Sequence, residues 1–177
     1  MNYVLPDILI PELDIVFCGT AVGRKSDRLR TYYAHPSNGF WKTLAEVNIT
    51  PDRIAPNDFA SITKLGLGLT DLAKSAVGND HEICHDQYDI EGFRKKILHF
   101  KPRILAFNGK GAAKKYLRRR SVKYGMADES IGETRIVVLP STSAAARRWW
   151  DISVWQELAR IGGYPSPTLP TPISDIP

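Results

Sequence analysis

The chain has 177 residues, 43% of them hydrophobic and 24% charged, with a formal charge of +5 and a pI of about 9.2. That length buries roughly 70% of the unfolded surface and needs no metal or disulfide to fold, and two cysteines, Cys18 and Cys84, cannot supply the four thiolates of an iron–sulfur cluster. No apolar run approaches the roughly 20 residues of a membrane span, so one soluble domain, residues 1–163, is expected.

The opening MNYVLPDILIPELDIVF mixes prolines and acids into its apolar residues and lacks the pattern of a secretory leader. With both cysteines read as reduced thiols, a cytoplasmic protein is expected. The first strand is LDIVFCG, residues 13–19, a short apolar run stopped by glycine. It runs into Gly-Thr-Ala-Val-Gly, where Gly19 and Gly23 let backbone N–H groups approach a base or phosphate. Taken alone, such a turn is often only a tight turn. Phe40, Trp41, Leu44 and Val47 then predict a helix over 38–47.

HEICH at 81–85 raises a zinc reading, but the spacing is not H-E-x-x-H and no second ligand cluster follows, so no metal is expected. Phe93, Ile97 and Phe100 predict a helix over 90–100, and RILAFN, 103–108, a second buried strand. A helix at 111–118 begins the segment 110–123, which holds seven basic residues and no acid, the footprint of a phosphate contact or a solvated helix end. FNGKG is not a phosphate loop, because it lacks the first glycine and the Lys-Ser/Thr pair. RIVVLP, 135–140, is the third strand, and Ser153 is the expected cap of a last helix turning Val154, Trp155, Leu158 and Ile161 inward. The tail, 164–177, has five prolines in 14 residues and is expected to be extended, packed on the surface or disordered. Strands separated by helices give an α/β fold with a mainly parallel sheet, whose ligands bind beyond the carboxyl ends of the strands.

VFCGTAVG, YYAHPSNGFWK, LGLGLTDL, LAFNGK and VLPSTSAAAR, in that order over about 14–160, resemble the motifs of the mismatch-specific uracil and thymine DNA glycosylases of the uracil-DNA glycosylase superfamily. The resemblance implies a three-layer αβα sandwich and a monofunctional, monomeric enzyme that removes uracil from DNA without cofactor or metal. Tyr33 falls at the aromatic that stacks on uracil, Thr20 and Ala21 in the turn that meets the base, and Asp71 where a residue faces the base edge. PSTSAAAR resembles the segment that enters the duplex. Ser141, Thr142 and Ser143 would bond phosphates, Arg147 and Arg148 add charge, and Ala145 lies in a slim plug. Asn108 and Lys110 are expected at the DNA backbone. Plainer readings stand beside these: an ordinary tyrosine at 33 and a helix cap at Ser143.

The first motif departs from the family's Gly-Ile-Asn-Pro-Gly, since Ala21 stands where the family's water-positioning asparagine would be. Asp71, Asp27 and His35 are the candidates to replace it. Two rivals follow: a protein of this fold that binds damaged or single-stranded DNA without cutting it, and an enzyme acting on a free nucleoside or another small metabolite.

Overall fold

In the computed structural model, which describes residues 3–166, the LDIVFCG run forms β1 (Ile15–Gly19) at the second position of a five-stranded sheet. On either side of it lie β2 (Leu67–Asp71) and β3 (Ile104–Asn108), both parallel to it. β5 (Thr134–Leu139) continues the parallel set beyond β3, and β4 (Gly125–Ile131) closes the sheet as an antiparallel edge.

Alternation along β1 builds two cores. Ile15 and Phe17 enter one with Phe40, Trp41 and Leu44 of α2 (Phe40–Glu46) and Trp155 and Leu158 of the C-terminal helix (Ile152–Gly162). Val16 and Cys18 enter the other with Phe93 and Ile97 of α3 (Ile90–Phe100) and Ala112 and Ala113 of α4 (Lys110–Tyr116). Helices thus cover both faces, which gives the expected three layers. The short helix α1 (Arg24–Leu29) follows the glycine turn, and the C-terminal helix is α5. No described helix is long and apolar enough to cross a membrane.

Two buried tryptophans brace the loops at one end of the sheet. Trp41 Nε1 donates to the Tyr32 carbonyl at 3.2 Å, and Trp155 Nε1 to the Pro140 carbonyl at 3.0 Å. Each indole fills the core with its ring and fixes a loop with its one donor.

β2 and β4 have little strand signal. Gly68 interrupts LGLTD, and its bare Cα admits the Ile8 carbonyl, which a Cβ would approach to 2.7 Å; Ile8 bridges Leu69 there and covers the sheet edge. GMADESI turns Met126, Asp128 and Ser130 outward and has no apolar alternation to mark it. The cap of α5 is Asp151 rather than Ser153, since Asp151 Oδ1 accepts from the Ser153 N–H at 3.0 Å and also from its hydroxyl. Asp151→Ala is expected to cost about 1 kcal/mol in urea unfolding, more than Ser153→Ala. Tyr164 continues the helix end by donating its N–H to Ala159 and packing on the first core; residues 167–177 of the proline-rich tail lie outside the described residues.

Candidate active site

Four parallel strands end on the same side of the sheet, so the segments after β1, β2, β3 and β5 converge. Asp71, the last residue of β2, is in register with Gly19, the last of β1. Its carboxyl lies where a Gly19 side chain would be: a Cβ there would stand 2.7 Å from Asp71 Oδ1 and 3.8 Å from the Tyr33 hydroxyl. Glycine at 19 is therefore what lets Asp71 reach across β1 toward Tyr33.

Asp71 is 4% exposed, and its Oδ2 has no hydrogen-bond partner. Lys74 Nζ stands 3.7 Å from that oxygen, an ion-pair distance and too long for a hydrogen bond. Lys74 itself is buried, 3.1 Å from Asp7 and donating to the Tyr32 hydroxyl at 2.9 Å, while Lys96 holds the other Asp7 oxygen at 2.5 Å. Burial pushes the Asp71 carboxyl above the usual carboxylate range, against the pull of Lys74 and Tyr32.

Tyr33 occupies the left-handed region at φ 51°, a strained conformation for a non-glycine residue. Its ring stacks on Phe40 at 3.9 Å between centroids, so one face is already backed by the core. Burial, with Asp71 second, holds its hydroxyl neutral well beyond the ordinary tyrosine range.

Asn108 and Thr142 use their polar atoms on each other. Asn108 Nδ2 donates to Thr142 Oγ1 at 2.9 Å, and the Thr142 N–H to Asn108 Oδ1 at 3.0 Å. The Thr142 carbonyl in turn accepts from the Gly39 N–H at the start of α2. This clasp positions the 141–143 loop, and the Asn108 side chain also bears on the Tyr33 hydroxyl. Ser141 backs Gly109, which has φ 119°, and its Oγ accepts from the Ser143 N–H. Ser143 precedes a 3-10 helix over 144–149 without a side-chain cap bond. Ala145, Arg147 and Arg148 are exposed there, and Lys110 Nζ lies 4.0 Å over the Tyr124 ring.

The other two carboxylate and imidazole candidates have local partners. Asp27 sits in α1, 3.6 Å from Arg30. His35 is exposed, and its Nδ1 meets the Ser37 hydroxyl at 2.7 Å and accepts from the Ser37 N–H, the geometry of a turn brace. No hydrogen bond or ion pair among the described residues joins either to Asp71 or Tyr33.

The glycine turn is covered by the segment after β2. Leu72 and Ala73 donate to the Gly19 and Thr20 carbonyls, Gly78 to that of Val22, and Val22 pairs with Val77. Ala21 consequently packs beside Ala73, Ala76 and Ile83 in a small apolar cluster. The same segment delivers Asp80, which the sequence did not single out. A Cβ on Gly111, in the first turn of α4, would collide with Asp80 Oδ2 and stand 3.1 Å from Thr20 Oγ1. Asp80 and Thr20 thus flank one spot beside the glycine turn. Farther along, Glu82 holds Arg24 at 2.6 Å and accepts from the Asn79 N–H, and the Gln87 side chain accepts from the Cys84 N–H. No group of three metal-ligating side chains is assembled among the described residues.

A cavity of about 420 Å³ lies at the opposite end of the sheet, lined by Lys101, Arg103, Ile131 and Thr134 at the starts of β3 and β5, and takes no part in this convergence. A smaller one, about 110 Å³, opens beside Tyr3, Lys74, Phe93 and Lys96 next to the buried ion pairs.

Comparison with known proteins agrees with this fold. A protein of Methanosarcina acetivorans named as a candidate uracil DNA glycosylase, solved by NMR in solution, is 23% identical over 90% of this chain and 97% of its own, with a TM-score of 0.66, a likeness of fold. The family model described as the uracil DNA glycosylase superfamily matches residues 6–159. With that match running from before β1 to the body of α5, the chain belongs to the uracil DNA glycosylase superfamily.

Proposed function

We propose that the protein is a monofunctional DNA glycosylase that hydrolyses the N-glycosidic bond of uracil in DNA, on the pattern of the mismatch-specific branch. The observation that carries the reading is the buried Asp71 carboxyl laid over Gly19 beside the Tyr33 hydroxyl. A polar group with an unmatched oxygen, next to an aromatic ring at a strand-end crevice, suits a flat base with hydrogen-bonding edges.

In this reading the extruded uracil rests on the free face of Tyr33 and presents its edge to Asp71, with the backbone around Thr20 completing the contact. Asp80 orients a water beside Thr20. The water oxygen bonds to the sugar C1′ as the C1′–N1 bond breaks, the bonding pair leaves on the uracil ring, and the water proton passes to Asp80. The departing anion is stabilised by nearby donors, the kind of electrostatic help that carries much of such a reaction. Exposed Arg147 and Arg148 supply phosphate contacts, while Asn108 and Thr142 hold their loop in place.

The test is incubation with labelled oligonucleotides carrying uracil in single-stranded, U·A and G·U contexts, followed by alkaline cleavage of abasic sites. Strand breaks in proportion to protein support the reading; retained binding without breaks overturns the hydrolytic step. Tyr33→Ala is expected to slow release about tenfold or more at saturating DNA, because a base–aromatic stack contributes about 1–3 kcal/mol. Undiminished single-turnover release from that variant would remove Tyr33 from the site.

A further inference from the structure

Of the four tryptophans, Trp41 and Trp155 are core residues, but Trp149 is 52% exposed and Trp150 38%. Trp149 is the most exposed large hydrophobic side chain among the described residues. An indole presented to water this way gives up about half of its burial energy, and it stands at the end of the 3-10 helix that grows from the clasped 141–143 loop.

Its setting is rigid and positive. Trp150 rests on the buried Trp155 at 6.2 Å between ring centroids, and its N–H closes the helix on the Arg147 carbonyl at 3.1 Å. Trp155 in turn holds the Pro140 carbonyl, so the presenting helix is tied to the core at both ends. The Arg148 guanidinium lies 3.9 Å over the Trp149 ring. Neither Arg147 nor Arg148 has an ion-pair partner among the described residues, and the stretch 141–150 contains no acid.

A flat apolar ring sandwiched with a cation, within an acid-free stretch, complements a polyanion that also offers aromatic faces. Fully paired DNA offers phosphates, but its base faces are already stacked on one another; single-stranded DNA offers both. We propose that Arg148 and Trp149 form a platform that stacks an unpaired base of single-stranded DNA beside the crevice, so that the protein prefers single-stranded over fully paired DNA. The platform rests on the DNA reading of the crevice for its place, but it binds undamaged strands as well.

The experiment uses the full chain and an undamaged oligothymidine, alone and annealed to its complement. Affinity is read by anisotropy of a labelled strand and contact by tryptophan fluorescence, for wild type, Trp149→Ala and Trp149→Phe. Expected are quenching on the single strand that vanishes in Trp149→Ala, a loss of single-strand affinity of about tenfold or more, partial recovery in Trp149→Phe, and little change on the duplex. Uracil release at saturating DNA stays at the wild-type level, since Trp149 does not touch the reacting base. Equal single-strand affinity and equal quenching in wild type and Trp149→Ala overturn the platform, as does a loss of the same size on both forms of DNA. Trp149-dependent binding with no uracil release leaves the platform standing and sinks the hydrolytic reading; a wild type that binds neither DNA sinks both.

Discussion

Asp71→Ala is expected to lower uracil release about a hundredfold or more, whereas Asp71→Asn keeps most of it and loses the fall in rate that wild type shows as pH rises through the Asp71 pKa. A neutral carboxyl presents a hydroxyl donor and a carbonyl acceptor side by side, as an amide does, and uracil's O4 and N3–H accept and donate in the matching order. The ionised carboxylate is acceptor-only and would face O4 with repulsion. Burial and the unpartnered Oδ2 favour the neutral acid, while Lys74 at 3.7 Å opposes it. Sites built to hydrogen-bond a substrate discriminate strongly, by about 10⁴ or more in the best cases, so the loss on truncation is large. Single-turnover release across pH for the three proteins decides the matter. A wild-type profile with no fall at any pH above the ordinary carboxylate range, or an asparagine variant as slow as the alanine one, would contradict this role.

The same proton appears in stability. Asp71's folded pKa is raised above its ordinary 3.8, so the stability its neutral form confers is fully present below the unfolded pKa and is lost as pH rises through the folded one. The groups facing it are Lys74, Tyr32 and Asp7, with Lys96 held by Asp7. Asp71→Asn removes the ionisable group while keeping its shape. Its melting temperature should therefore match wild type most closely in acid, exceed it by a widening gap as the pH rises above about 4, and hold a constant excess once Asp71 is ionised. The variant that is more stable at neutral pH would then also be the one freed of pH control.

What was legible in the sequence was local. RILAFN and the Phe93, Ile97, Phe100 spacing carry their own strand and helix signals, and β3 and α3 form at those residues. β2 was read only as part of a motif, because Gly68 is there to admit the N-terminal segment, a contact that sequence spacing does not announce. Tyr33 and Asp71 were singled out by motif, and the fold brings both beside Gly19. The clasp between Asn108 and Thr142 joins residues 34 apart in the chain, so residue types alone did not announce the pairing. Asp80 lay in a polar loop with no signal of its own; its place depends on the pairing of Val22 with Val77.

That pairing also bears on Ala21, where the resemblance to the family leads us to expect an asparagine. If Ala21 were simply a lost side chain, Ala21→Asn would restore or raise activity. Ala21 instead packs, half-buried, against Ala73, Ala76 and Ile83, so an amide there would meet apolar groups on its packed side, at a cost of about 1 kcal/mol. Ala21→Asn is accordingly expected to unfold at lower urea and to release uracil no faster than wild type. Asp80→Asn, by contrast, should slow the chemical step about a hundredfold with unchanged DNA affinity and unchanged stability, because its carboxylate is exposed and has no ion-pair partner among the described residues. The two variants, assayed together by single-turnover release and urea unfolding, separate the alternatives: a faster Ala21→Asn or an unimpaired Asp80→Asn would return the water-orienting role to the glycine turn. The opposite pair of results would show that the segment folded over Gly-Thr-Ala-Val-Gly has taken the role along with the space.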